Sequence, residues 1–300
     1  MAALKTGSPR VSIGLPVYNG ERYLVETIGA ITAQTFSDFE LIISDNASTD
    51  RTQEICETCA VCDPRVRYIR HEINRGANWN FRYVSELGRG VYFRWASADD
   101  LFAPESLSCC VDVLDRFPDV VLCYPKTVLI NGFGQVIGPY DDRLDLQSNS
   151  AVDRFIMASS RIGLVNVHYG LMRTKDVRKT QLIGDYPDAD VTFLLEMTLY
   201  GRFFEIDRPL FFRRMHEHAA SSMKCSPSEL QTYLAPTRKV HHSLRKWRAL
   251  SGKTRAVLRG PLSIADRFLL LYFIICGVAY NCHEYLRDLV SFARAVIQRR

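Results

Sequence analysis

This chain of 300 residues is expected to build a mostly parallel α/β sheet flanked by helices, with a helical C-terminal extension. Three observations point there. Short apolar runs alternate with helix-period segments from Val11 to Tyr124. Polar clusters stand at the carboxyl ends of those runs. The charge is divided unevenly between the long N-terminal part and the tail.

Val11–Val17 (VSIGLPV) is a strand ended by the turn Tyr18-Asn19-Gly20. Glu21 to Gln34 carries Leu24, Ile28 and Ile31 at helical spacing. Phe39–Ser44 is a second strand, and Asp50 to Ala60 a helix with Asp50 as a cap. Val66–Ile69, Val91–Ala96 and Val120–Tyr124 read as further strands. Helices over Asn78–Leu87 and Pro104–Phe117 lie between them. Sheets of this kind bind ligands beyond the carboxyl ends of their strands. Tyr18-Asn19, Asp45-Asn46 and Asp99-Asp100 all fall at such ends. Past residue 127 the pattern loosens. Ala151–Ser160 and Asp190–Tyr200 read as helices, Asn166–Met172 as a strand and Phe203–Phe212 as an extended segment.

Composition excludes several classes. Apolar residues make up 47% and charged residues 24%, which is ordinary for a globular protein and unlike a disordered chain, a fibre or a disulfide scaffold. The net charge of +5 is too small to argue for nucleic acid. It conceals a division, however. Residues 1–223 hold 24 basic and 29 acidic groups, whereas 224–300 hold 14 and 4. The division suggests a catalytic domain over 1–223 and a basic helical tail over 224–300. In that tail Leu230–Leu250 is a basic helical stretch with Arg238 and Lys239. Phe268–Tyr280 is an uninterrupted apolar run, too short to span a bilayer of about 20 residues' thickness. Burial of this run against protein, in an oligomer, or at a membrane surface are the alternatives. The flanking basic residues favour peripheral membrane association.

Met1 to Arg10 lacks an apolar signal-peptide core, so a cytoplasmic location is expected, at the cytoplasmic face of a membrane. Cys56, Cys59 and Cys62 form CxxCxxC, but inside a helical segment with no fourth ligand at suitable spacing. Reduced structural thiols are expected there rather than a metal.

Adjacent carboxylates at Asp99-Asp100 repel one another unless a cation or a ligand hydroxyl uses them. An acidic pair after a strand is also a common loop or cap feature. Asp45 could equally cap the Asn46–Asp50 turn. The three strings LPVYNGERYL, LIISDNASTD and WASADDLFAPESL decide between these readings together. In order and spacing they resemble the nucleotide-sugar domain of glycosyltransferase family 2, of the GT-A type Rossmann-like fold, over about residues 10–223. Two departures stand out. Asn46 and Ala47 stand where that family often has Asp and Gly, and the acidic motif is the short form ADD.

The resemblance implies roles. The Pro16 backbone and the Tyr18 side chain line a nucleobase pocket, and Asp45 accepts from the N3–H of uracil or thymine. Asp99 lies near the ribose and sugar. Asp100 ligates a divalent metal, Mn²⁺ or Mg²⁺. Arg75, Gly76 and Asn80 in NRGANWN match a weaker pattern that shapes the base pocket; a plain loop and helix start fits them as well. The segment YPDADVTFLLEMTLYGRF resembles the one that supplies the family's catalytic base. Asp190 is the matching position, Ala189 replaces the usual Glu, and Asp188 competes. A carboxylate is needed there because an acceptor hydroxyl must lose its proton as it attacks. FFRRMHEHAASS resembles the following segment. There Arg213 and Arg214 would offset the diphosphate and His216, or His218, would ligate the metal; a surface charge cluster is the alternative.

The implied activity is inverting transfer of a sugar from a nucleoside-diphosphate donor, UDP or dTDP favoured, to a glycan or lipid-linked acceptor. Two other classes compete. One is a non-catalytic nucleotide-sugar-binding membrane scaffold. The other is a different nucleotide-using transferase, but no Gly-rich phosphate loop or GxGxxG follows the first strand.

Overall fold

The computed structural model describes residues 7–217, Tyr233 and 244–297. His218 and most of Leu230–Leu250, including Arg238 and Lys239, lie outside the described residues.

β1 (Val11–Val17) is buried along its whole length, as an unalternating apolar run must be when helices cover both faces. It pairs in parallel with β2 (Phe39–Asp45) on one side and β4 (Tyr92–Trp95) on the other. β2 in turn carries β3 (Val66–Arg70), also parallel. The strand order therefore reverses at β1, and the crevice of a doubly wound sheet opens beyond its carboxyl end. α1 (Leu24–Thr32), α2 (Thr52–Cys62) and α3 (Ala77–Leu87) cover the sheet. Cys56, Cys59 and Cys62 run along α2, and the described cysteines form no disulfide. The chain returns from α3 to β4 through Gly90. A Cβ there would lie 2.6 Å from Ser12 N, so only glycine admits the crossing.

The remaining elements are β5 (Leu101–Phe102), α4 (Ser106–Arg116), β6 (Val120–Asn131), β7 (Val136–Tyr140), α5 (Ala151–Arg161), β8 (Leu171–Arg173), α6 (Thr174–Val177), α7 (Ala189–Met197) and β9 (Arg202–Met215). They continue the sheet in the order β4-β8-β6-β9-β5, with β7 paired to β6. β8 is antiparallel to both neighbours, whereas β6 and β9 are parallel. β6 runs well beyond the expected Val120–Tyr124. Pro125 is accommodated because the register with β9 shifts there, a usual place for a proline within a strand. The strand expected over Asn166–Met172 is shorter. Asn166–Tyr169 forms a 3₁₀ turn entered through Val165 at φ 63, and only Leu171–Arg173 pairs. His168 in that turn is buried and stacked on Trp95 at 4.4 Å, which anchors the turn in the core.

Three helices form the described tail: α8 (Arg245–Arg259), α9 (Ile264–Tyr280) and α10 (Cys282–Ile297). α8 packs on α7, α9 on α5 and α8, and α10 on α8. The apolar run 268–280 lies within α9. Its Leu270 and Ile274 enter the core.

Candidate active site

The loops after β1 and β2 are stitched into one unit. Asn19, at φ 51, donates its N–H to Ser48 Oγ at 2.9 Å and accepts from Thr49 N at 2.8 Å. Glu21 N donates to Asp50 Oδ2, and Arg51 N to Glu21 Oε2. The motif residues thus brace each other before any ligand is considered. Tyr18 stands exposed above the buried Pro16. Asp45 is fully buried. Its Oδ1 accepts from Ser48 N and its Oδ2 from the Tyr68 hydroxyl, both at 2.8 Å. It caps the turn, and with both oxygens engaged inside the protein it supports this end of the crevice from beneath rather than presenting an acceptor to a base, as the resemblance implied. Arg75 is exposed and lies over the Trp79 ring at 4.7 Å, while its N–H donates to Asn46 Oδ1. Asn80 is buried and holds Ser44 through both ends of its amide.

Asp99 and Asp100 follow β4 where the sheet order has reversed. Asp99 Oδ2 sits 2.9 Å from His216 Nε2, and Ser97 Oγ donates to its Oδ1. Burial would raise the Asp99 carboxyl, but the hydrogen bonds from His216 and Ser97 hold it below the ordinary range. Asp100 goes the other way. Burial first, and then the neighbouring Asp99 charge, push it well above the usual carboxylate range. Its Oδ1 accepts from Arg214 N at 2.8 Å.

The two arginines at the end of β9 separate. Arg214 is turned inward and 2% exposed. It donates from Nε to the Asp99 carbonyl and from Nη2 to Glu26 Oε2, and lies over the Tyr23 ring at 4.5 Å. Its guanidinium, expected at the donor, instead braces the loop that carries Asp99 and Asp100. Arg213, its neighbour on the opposite face of the strand, stays half-exposed. It donates to Leu164 O at 3.0 Å and to Asn166 Oδ1 at 2.9 Å. Its charge bears on Asp99, Asp100 and Asp190 together. Asn166 in turn reaches Asp142 Oδ2, which also accepts from Thr127 Oγ1 at 2.8 Å. Val165 adopts φ 63, a strained conformation for a β-branched residue, at the point where its neighbours meet Arg213. Asn166, Asp142 and Thr127 come from three separate elements. No local string announced them.

Asp190 lies in the first turn of α7, where the helix dipole favours a carboxylate. Its Oδ1 accepts from Val191 N at 2.8 Å. Burial raises its pKa, against this hydrogen bond and with the help of Asp188. Asp188 itself precedes the helix at φ 64, and Arg245 occupies both of its oxygens. Of the two candidates, Asp190 is the one not held by a cation.

Among the described residues no three His, Cys, Asp or Glu side chains are grouped so as to hold a metal alone. The donor chemistry nevertheless fits a hard divalent ion completed by diphosphate oxygens. Asp100 would supply oxygen and His216, whose Nε2 lies 2.9 Å from Asp99 Oδ2, nitrogen; a cation would offset both the burial and the Asp99 charge that raise Asp100.

An α/β sheet whose strand order reverses at β1, with an acidic pair directly after β4, has the architecture of the GT-A fold. Residues 12–137, somewhat less than half of the chain, match the model for glycosyl transferase family 2, and over that segment the chain carries a domain of that family. Among curated relatives, the chondroitin synthase of Escherichia coli is 30% identical over 221 residues, covering 72% of this chain and 30% of that one. Glycosyltransferase GlyG of Streptococcus pneumoniae serotype 4 is 31% identical over 116 residues, or 38% of each chain. The chain therefore spans only about a third of the length of these two relatives. In overall fold it resembles S. aureus TarS 1–349 in complex with UDP-GlcNAc, with a TM-score of 0.67 and 18% identity, covering 89% of this chain and 71% of that one. The mannosyltransferase PcManGT from Pyrobaculum calidifontis, in complex with GDP-Man and Mn²⁺, follows at TM-score 0.51 and 16% identity, covering 97% and 86%.

Proposed function

We propose that this protein transfers a sugar from a nucleoside-diphosphate donor to an acceptor hydroxyl, with inversion at the anomeric carbon. The observation that carries this reading is a half-buried carboxylate at the start of α7, Asp190, whose pKa is raised chiefly by desolvation and which shares the electrostatic reach of Arg213 with the Asp99–Asp100 pair. A general base must combine proton affinity with access to the reacting hydroxyl. Asp190 takes the acceptor proton. The freed oxygen forms its bond to the anomeric carbon as the bond to the diphosphate oxygen breaks, and the electron pair leaves with the diphosphate. Arg213 offsets that growing charge, and the Leu164 carbonyl and Asn166 amide hold it in position.

Tyr18, the Pro16 backbone and Arg75 line the nucleobase end, with Asp45 supporting it from beneath. UDP or dTDP is the favoured nucleotide. That preference is supported by the UDP-GlcNAc complex of TarS, although PcManGT carries GDP-Man. Asp100 and His216 would hold Mn²⁺ or Mg²⁺, which when bound supplies Lewis-acid stabilisation to the departing diphosphate. The Mn²⁺ of PcManGT supports the same reading. The acceptor is a glycan or a lipid-linked saccharide, met at the cytoplasmic face of a membrane.

A thermal-shift panel of UDP-, dTDP- and GDP-sugars with Mn²⁺ tests donor choice, because ligands of the native state raise its stability by mass action. Calorimetry on Asp100→Ala tests the metal. The variant should lose the Mn²⁺-dependent part of donor affinity, and affinity unchanged with and without Mn²⁺ would remove the assignment. Donor binding by the unaltered protein, without transfer or donor hydrolysis, would favour a non-catalytic scaffold.

A further inference from the structure

We infer that the elbow formed by α9 and α10 is a docking face for an anionic lipid surface. It lies in the membrane plane and is braced to the base end of the active site. α9 is apolar all round, so one side of it needs a second partner besides the protein core. Leu270 and Ile274 fill the core, while Ile264, Phe268, Tyr272 and Ile275 form an outward stripe at spacings of four, four and three. Phe268 is 69% exposed, Tyr272 66% and Ile275 64%.

α10 divides its side chains between the protein and the exterior. It turns Glu284, Asp288 and the Tyr285 ring toward α8, where Lys246 engages both acids and Trp247 meets the ring, and leaves Leu286, Leu289 and Val290 outward beside His283 and Arg287. An outward face that mixes apolar and basic side chains suits the boundary between headgroups and acyl chains. Neither helix is long and apolar enough to cross a bilayer, and the pair is bent by 71°. At 17 residues α9 measures about 25 Å, short of a hydrocarbon core of about 30 Å. The two pass for a span only as a pair, by length and composition, and the 71° bend between them favours an in-plane seat.

Charge selects the occupant. Residues 245–300 carry 11 basic and 3 acidic groups, a net of +8. All three acids are engaged within the protein: Glu284 and Asp288 by Lys246, and Asp266 by the Ser263 hydroxyl at the start of α9. Arg255, Arg259 and Arg287 remain exposed. A second copy of the chain docked on the same face would oppose this charge to itself about a two-fold axis. An anionic headgroup layer complements it.

The elbow is also tied to the chemistry. Lys246 and Trp247, at the start of α8, hold α10, and Arg245 beside them holds Asp188, two residues from Asp190. Resting on the transfer reading, this places an amphiphilic acceptor, its sugar head at Asp190 and its tail in the same leaflet, as the substrate class the brace serves.

The test is flotation of the full chain with vesicles of phosphatidylcholine alone and of phosphatidylcholine mixed equally with phosphatidylglycerol. The wild type should float with the anionic vesicles and lose that binding in high salt. The double variant Phe268→Glu, Ile275→Glu should lose at least about tenfold in bound fraction, with an unchanged far-UV circular dichroism spectrum and melting temperature showing an intact fold. Equal flotation of variant and wild type would overturn the inference. So would a wild type that ignores anionic vesicles, or one that sediments as a dimer which the double variant dissociates. The thermal shift from UDP and Mn²⁺ is read separately, so a failed donor reading leaves the lipid result standing.

Discussion

Arg245 Nη2 and Nε hold Asp188 Oδ1 and Oδ2 at 2.8 and 3.0 Å, a bidentate clasp between the start of α8 and the residue before α7. The clasp separates the roles of two carboxylates that stand two residues apart. Asp188 is spent on the joint, and Asp190 is not held by it. Asp190→Asn should lower transfer by about 10³-fold, the usual weight of a general base, with donor binding kept. Asp188→Asn should cost far less and should act chiefly through loosening α8. Steady-state assays paired with calorimetry on both variants distinguish the two, and the opposite ranking would move the base to Asp188.

The pH profile gives an independent reading of the same residue. Burial raises the Asp190 pKa, so its reactive carboxylate form is lost as pH falls through a value above the ordinary range. The acid limb of kcat/KM should therefore lie above the usual position for an aspartate. Asp190→Glu should shift that limb rather than erase it. An acid limb at the ordinary carboxylate position would argue that another group limits the rate.

Adjacent arginines should fail in different ways. Arg213→Ala removes a half-exposed cation but leaves the inward packing of β9 alone. It should lower kcat/KM by about 10²-fold with little change in melting temperature. Arg214→Ala breaks a buried guanidinium that supports Glu26, the Asp99 carbonyl and the Tyr23 ring. It should cost about 2–3 kcal/mol of stability, since its partner Glu26 is half exposed and the full penalty for a buried pair does not apply. Denaturant midpoints set beside activity show whether the two effects separate.

This pair also marks the limit of what the sequence could reveal. β1 to β4 were legible because each apolar run ends in a turn and is followed by helical spacing. The acidic pair was legible because it stands directly after a strand. Which of Arg213 and Arg214 turns inward was not. Neighbours in a strand face opposite sides, and the register of β9 against β6 shifts at Pro125 and Lys126. A one-residue slip exchanges their faces. Asn166 was lost within an expected strand, because the left-handed Val165 that starts its 3₁₀ turn has no signature in a β-branched residue. The outward face of α10 escaped for a similar reason. Its inward face is set by Lys246 and Trp247, which lie some 40 residues earlier in the chain.

Ala47 offers a test of the second motif by stability alone. It stands at φ 65, the left-handed conformation that glycine adopts without cost and other residues adopt at about 1–2 kcal/mol. Glycine gives back part of that gain through greater freedom in the unfolded chain. Ala47→Gly should therefore raise stability by about 0.5–1 kcal/mol, visible as a higher urea midpoint at unchanged slope. A lower midpoint would mean that the methyl group contributes packing that outweighs the strain.

Asp142 ties the support of Arg213 to pH. Burial pushes its carboxyl up to about 6, against hydrogen bonds from Thr127 and Asn166 that favour the charged form. Between an unfolded value near 4 and this folded value, the native chain holds a proton that the unfolded chain has released. The stabilising contribution is therefore complete at acid pH and is lost as pH rises through about 6. A shift of two units corresponds to about 2–3 kcal/mol. Asp142→Asn keeps an oxygen for Thr127 and carries no charge, so it should be the more stable protein at neutral pH. The two stabilities should converge below about pH 4, where both side chains are neutral. Chemical denaturation across that range measures the difference directly. A gap that stays constant with pH would show that folding does not shift the Asp142 pKa.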